Sequence, residues 1–121
     1  MNSSKNILVY GVETNKILFL NSFFSKNRLP SCNCIDDSME NMIMSDILKD
    51  LPKNTKCSSS KQTIIIFNNL SQVEMSTAIA LIKKVLKPKP IFASITPTSI
   101  TWTFAQLKEE LINEKKFFEG K

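Results

Sequence analysis

Thr63-Ile64-Ile65-Ile66-Phe67 constrains the fold more than any other stretch of this chain. Its apolar residues run without polar interruption, and most are β-branched, as strands prefer. A strand with one wet face alternates apolar and polar positions. One without alternation has to be covered on both faces. The chain therefore needs an apolar layer above this strand and another below it.

The rest of the sequence supplies those layers. Asn6-Ile7-Leu8-Val9-Tyr10 reads as a first strand ending at Gly11, followed by a helical pattern from about Thr14 to Ser25 with Ile17, Leu20 and Phe24 on one stripe. Leu29–Ile35 mixes polar and apolar residues, which suits a strand at the side of a sheet. Asp36-Asp37-Ser38 opens a second helical pattern through Leu48, with Asp37 as N-cap and Glu40 as its capping-box partner. After the central strand, Ser71 and Glu74 form a capping box, and Leu70 and Met75 form a staple. That third helix carries Met75, Ala78, Ile79, Ile82 and Leu86, and Pro88 and Pro90 end it. A last strand, Ile91–Ile95, leads through Thr96-Pro97-Thr98-Ser99 to a fourth helix. There Thr103 and Gln106 match a capping box, Trp102 and Leu107 match a staple, and Phe104, Leu107, Leu111 and Phe118 share a stripe. Trp102 reads as a packing residue. No internal repeat is visible.

Strands alternating with helices predict a parallel sheet with helices on both faces. Placing the apolar first and third strands inside and the polar second at the side gives the order 2-1-3-4. The expectation is one α/β domain over residues 1–121: a small three-layer α/β/α sandwich on a parallel four-stranded sheet, flavodoxin-like. Helices one and four would share one face, two and three the other.

At 121 residues, 42% hydrophobic and 22% charged, the chain has the composition of an ordinary folded domain. No apolar stretch nears the roughly 20 residues that span a bilayer. Ile7–Tyr10 is shorter than the roughly 7–15 residues of a secretory apolar core. A cytoplasmic protein with no membrane contact is expected. The net charge is +5, and its densest stretch is Lys83-Lys84-Val85-Leu86-Lys87-Pro88-Lys89. These lysines complement a helix C-terminus, and no aromatic residue is interleaved with them as single-strand binding requires. A nucleic-acid accessory role is accordingly the third reading.

Open α/β sheets bind ligands beyond the carboxyl ends of their strands, near the topological switch point. In a parallel sheet those ends meet in one place. The candidate ligand-binding residues are Glu13 and Thr14 after the first strand, Asp36 and Asp37 after the second, Asn68 and Asn69 after the third, and Thr96 and Thr98 after the fourth. With only Gly11 and Gly120 as glycines, dinucleotide and Walker-type phosphate loops are excluded. No cofactor is expected. A receiver-type phosphorylation site is excluded because Asn68-Asn69 stands where the accepting aspartate belongs and the acidic pair follows the wrong strand. The chain has no histidine, so imidazole acid–base chemistry is absent and a cysteine nucleophile lacks its usual partner. Ser59 or Ser60 beside Lys61 precedes the third strand, at the wrong end of the sheet. Cys32, Cys34 and Cys57 offer three soft ligands to zinc or copper. Strand alternation instead puts Cys32 and Cys34 on one face as small buried groups, and no bound metal is expected.

The segment Pro90-Ile91-Phe92-Ala93-Ser94-Ile95-Thr96-Pro97-Thr98-Ser99-Ile100-Thr101-Trp102-Thr103-Phe104-Ala105-Gln106-Leu107-Lys108-Glu109-Glu110-Leu111 resembles bacterial proteins grouped as domain of unknown function 3783. Their pattern is an apolar strand, Thr-Pro-Thr-Asn, a Trp, then Leu-x-x-Glu-Leu. Ser99 replaces the Asn here. Ile7-Leu8-Val9-Tyr10-Gly11 is similar to the start of that family. The resemblance implies no activity.

The leading reading is a non-enzymatic binding or regulatory module that engages a protein partner or a small ligand at the carboxyl ends of the strands. The alternative is a ligand- or metal-dependent enzyme using Glu13, Asp36 and Asp37. Helix one also has a wide apolar arc, with Phe19 and Phe23 beside its buried stripe. Self-association as a homodimer is expected through these residues and the C-terminal helix with Phe117-Phe118, unless they pack on helix four within one chain.

Overall fold

The computed structural model describes residues 5–49, 62–86 and 90–119. Expectations for Cys57, Ser59, Ser60, Lys61, Lys87 and Lys89, and for the side chains of Asp37, Phe117 and Phe118, lie outside the described residues. The strands are β1 (Asn6–Tyr10), β2 (Cys32–Ile35), β3 (Ile64–Asn68) and β4 (Ile91–Ser94). The helices are α1 (Thr14–Lys26), α2 (Met44–Lys49), α3 (Gln72–Val85) and α4 (Phe104–Glu119). Single 3-10 turns, Asp37–Met39 and Ser99–Thr101, precede α2 and α4.

The strand order is β2-β1-β3-β4, as the sequence predicts. The sheet is mixed, however, and not parallel. β2 runs parallel to β1 and β4 parallel to β3, but β1 and β3 are antiparallel, with Leu8 opposite Ile66 and Asn6 opposite Asn68. This corrects the flavodoxin-like expectation. It also moves the helices. Crossovers between parallel strands are right-handed, and the unit β3-α3-β4 both reverses direction and steps to the opposite side of the sheet. The two reversals cancel, so α3 joins α1 on one face. Ile17, Leu20 and Phe24 of α1 and Ala78 and Ile82 of α3 bury Ile7, Val9, Ile65 and Phe67. Met44 and Ile47 of α2 and Phe104 and Leu107 of α4 bury Leu8, Tyr10, Ile64 and Ile66. Helices one and four thus lie on opposite faces, and the expected surface combining Phe19 and Phe23 with the C-terminal helix is not formed.

The chain is built from two halves in the same order: strand, helix, strand, 3-10 turn, helix. Gly11 after β1 and Asn69 after β3 hold matching left-handed positions, with φ 79° and 63°. Glu13 and Ser71 are matching N-caps. Ile43 and Thr103, each just ahead of its helix, form a two-residue bridge in which Met44 N–H donates to Trp102 O (2.8 Å) and Phe104 N–H to Met42 O (2.9 Å). The Leu8–Ile66 pair therefore marks an approximate two-fold axis that no residue-level repeat announces.

Local signals hold where they are satisfied locally. Ser71 Oγ accepts from Glu74 N–H (3.1 Å) and Glu74 Oε1 from Ser71 N–H (2.8 Å), the complete capping box. Lys5 also donates to Glu74 Oε2 at 2.8 Å. That hydrogen bond, followed by the one from Ser71, holds the carboxyl below its usual range. Thr103 Oγ1 caps α4 through Gln106 N–H at 3.2 Å, and Trp102 packs into the α2/α4 face. The second helix departs from expectation. Asp36 Oδ1 takes Ser38 N–H (2.9 Å) and the Ser38 hydroxyl in a tight turn, and Glu40 pairs with Lys108. The α-helix begins only at Met44.

The end of α1 stores a small conformational cost. Leu29 N–H donates to Phe24 O (2.8 Å) and Arg28 N–H to Ser25 O (3.3 Å), a Schellman closure that puts Arg28 at φ 60°. Glycine occupies such positions without Cβ crowding. Arg28→Gly is expected to stabilise the fold by about 0.5–1 kcal/mol, and Gly11→Ala to destabilise it by about 1 kcal/mol or more. Urea unfolding measures both. Equal signs for the two changes would contradict the backbone assignment.

Candidate functional site

The antiparallel step between β1 and β3 divides the eight sequence-predicted positions between opposite ends of the sheet. Glu13, Thr14, Asp36 and Asp37 follow the carboxyl ends of β1 and β2. Asn68, Asn69, Thr96 and Thr98 lie at the far end, where β3 and β4 finish and β1 begins. One site containing all of them does not exist.

The β1/β2 end is closed by the chain itself. Lys108 of α4 places Nζ 2.6 Å from Glu40 Oε1 and 5.1 Å and 5.7 Å from the ring centres of Tyr10 and Phe104. Those rings meet edge to face at 5.3 Å. A cation over two aromatic faces and beside a carboxylate is well satisfied, and its alkyl stem covers the rings. Glu13 caps α1 through its backbone and its side chain is exposed, while Asp36 is engaged in its own turn. Among the described residues, no group of three or more Asp, Glu, Cys or His is placed to hold a metal ion.

The β3/β4 end is open. A cleft of about 600 Å³ is lined by Asn6, Asn68, Asn69, Ser45, Lys49 and Thr96, over an apolar floor of Leu48, Ile95, Pro97 and Ile100. Three of the predicted residues therefore meet here. Thr98 does not line the cleft; its carbonyl accepts from Thr101 instead. Asn6 and Asn68 face one another across the β1–β3 ladder, and Asn68 Nδ2 donates to Asn6 Oδ1 at 2.9 Å. The loop wall is preorganised. Thr96 N–H donates to Ser99 Oγ (2.9 Å) and Ser99 N–H to Thr96 Oγ1 (3.0 Å), a reciprocal lock on Thr-Pro-Thr-Ser with Ser99 buried. Its chemistry is that of hydrogen bonding. Among the described residues the lining side chains offer amides, hydroxyls and an ammonium, and no carboxylate, thiol or imidazole for proton transfer or nucleophilic attack.

Asn6, Ser45 and Lys49 were not legible as site residues. Asn6 carried a weak signal, a polar side chain opening a strand that is otherwise apolar. Ser45 and Lys49 carried none, because only the antiparallel turn of the sheet brings α2 to this end.

Fold and cleft define a small mixed-sheet α/β protein with an open polar cleft at the β3/β4 end. Residues 63–118 match the model of the family described as Domain of unknown function (DUF3783). The match runs from the start of β3 into α4, the second of the two structural halves, and takes in the Thr-Pro-Thr and Trp motif. It does not reach Ile7–Gly11. No curated protein and no solved structure matches the chain.

The cysteines separate in role. Cys32 and Cys34 share the α1/α3 face, as alternation requires. Cys34 is disulfide-bonded, and Cys32 is free and buried. Burial pushes the Cys32 thiol from 9.0 up to about 12, because a thiolate there would be desolvated. The unfolded chain then releases this proton first. The stability contributed by the buried thiol is complete below pH 9 and is lost as pH climbs toward 12. Cys32 should accordingly resist alkylation at pH 8 in the native protein and react readily in denaturant. Equal rates, read by peptide mass, would place the thiol at the surface.

Proposed function

We propose that the protein is a non-enzymatic binding module whose ligand is a small polar molecule, neutral or anionic, held in the cleft at the β3/β4 end. The observation that carries this reading is the cleft's lining. Among the described residues its polar side chains are amides and hydroxyls that donate or accept hydrogen bonds, joined by the Lys49 ammonium. A few convergent polar groups over an apolar floor is the usual composition of a small-molecule site. Asn6 and Asn68 supply a pair of amides held in register by the sheet, and the Thr96–Ser99 lock keeps the wall from collapsing into the space. Lys49 favours ligands bearing a carboxylate or phosphate.

A thermal-shift panel of small acids, amides, nucleosides and sugar phosphates tests the proposal. A ligand at 100 times its Kd stabilises by about 2.7 kcal/mol, a rise in Tm on the order of 10 °C for a domain of this size. Ser45→Trp, which fills the cleft, should abolish the shift, and Lys49→Glu should abolish it for anionic ligands. A panel without any shift, or a shift that survives Ser45→Trp, would place binding elsewhere.

A further inference from the structure

The two lateral edges of the sheet are finished differently. At the β2 edge, Asn21 of α1 reaches over and accepts the outward Cys32 N–H at 2.7 Å. At the β4 edge, Ile91 N–H donates to Thr63 O (2.8 Å) and Ile95 N–H to Phe67 O (2.9 Å), which turns these residues toward β3. Alternation turns the N–H and C=O groups of Phe92 and Ser94 outward, and no partner among the described residues meets them. The position on α3 that matches Asn21 is Ile79, which has no acceptor to offer. Burial follows the same division. Cys32, Cys34 and Ile35 of β2 are buried, whereas Ile91, Phe92 and Ala93 of β4 are only half-buried. An exposed apolar edge is a template for a further strand, and folded proteins normally block it.

We propose that β4 pairs antiparallel with β4 of a second copy of this chain, so that the two sheets become one. With the two-fold axis at Ala93, Phe92 of each chain lies opposite Ser94 of the other, and every outward N–H and C=O of both strands is used. The side chains fit this register, large Phe92 beside small Ser94 and Ala93 beside Ala93. The helical layer continues as well. Helices that each cover two strands repeat at roughly 9.6 Å, twice the strand spacing, and this is within the usual helix-packing distance. Copies of α3 then lie side by side and antiparallel, along the flank that carries Gln72, Ser76, Ile79 and Lys83. Glu74 is held on the other flank of α3 by Lys5, so the facing flanks meet through Gln72, Ser76, Ile79 and Lys83 with the helix dipoles opposed. The self-complementary register of Phe92, Ala93 and Ser94 and this antiparallel helix pairing select a second copy over a foreign strand. The same register brings Pro90 of the partner subunit beside Thr96, on the rim of the cleft.

Sedimentation velocity of the full chain at high micromolar concentration should show a dimer. Ser94→Pro removes an N–H that the single chain does not use. It should keep the native circular dichroism spectrum while raising the dimer Kd about tenfold or more, since a tenfold change corresponds to the loss of a net hydrogen bond or two. Ala93→Cys should give a covalent dimer on oxidation, mapped by peptide mass to the two introduced thiols. In a non-hydrogen-bonded antiparallel pair the Cα atoms sit about 4.5 Å apart, within disulfide range. A monomeric wild type overturns the proposal, as does Ala93→Cys protein that forms no such cross-link. So does a dimer indifferent to Ser94→Pro but dissolved by Phe19→Ser. Where Ser94→Pro fails to fold, the Ala93→Cys cross-link decides alone.

Discussion

The antiparallel ladder between β1 and β3 is the contact on which the rest of this structure depends. Leu8 and Ile66 face one another at its centre, both wholly buried, and each strand is covered on both sides. Because the two inner strands oppose in direction, the right-handed crossovers that leave them put α1 and α3 on the same face. The two remaining helices fall to the other face, locked together by the Ile43–Thr103 bridge. The same reversal sends the loops after β1 and β2 to one end of the sheet and those after β3 and β4 to the other. One choice of strand direction thus decides both the layering and the position of any site.

That choice is the part of the fold the sequence could not express. Ile64-Ile65-Ile66-Phe67 is apolar on both faces, and such a run reads identically in either direction because side-chain alternation is indifferent to whether its neighbour is parallel. Strand order was legible, since it follows from which strands are most apolar. Caps were legible at Ser71 and Thr103, because a cap is a contact between residues three apart and needs nothing distant. Around Glu40 the start of the helix was not legible: α2 begins only at Met44, and Glu40 pairs with Lys108, far away in sequence. Half of the candidate site was visible, in Asn68, Asn69 and Thr96. The other half, Asn6, Ser45 and Lys49, depends on the reversal.

The two ends of the sheet are nearly equivalent by the approximate two-fold axis, so their difference is informative. Met44 and Phe104 open matching helices, and Leu107 matches Ile47 as a buried anchor. One step further along, Leu48 of α2 matches Lys108 of α4. At the β1/β2 end Lys108 folds over Tyr10 and pairs with Glu40, which fills the space. At the β3/β4 end Leu48 has no charge to bring inward, and Asn68 stands where Tyr10 stands in the other half. A short apolar side chain and an amide leave open what a lysine and a phenol close. The cleft is therefore a divergence between two otherwise parallel designs.

The lateral edges follow the same logic in the opposite sense. Asn21 of α1 caps the β2 edge with an amide oxygen, and its counterpart Ile79 of α3 cannot. A single polar-to-apolar difference converts a guarded edge into one whose N–H and C=O groups seek a strand. The open edge and one wall of the cleft belong to the stretch that matches the family model, and Asn6, Ser45 and Lys49 complete the cleft from the other half. The β1/β2 ends and edge are finished with contacts that satisfy the chain's own polar groups, through Lys108, Glu40 and Asn21. Such closure stabilises a fold by satisfying its polar groups internally. The β3–β4 side presents hydrogen-bonding groups in a fixed geometry with apolar surface beside them, the combination from which recognition is built.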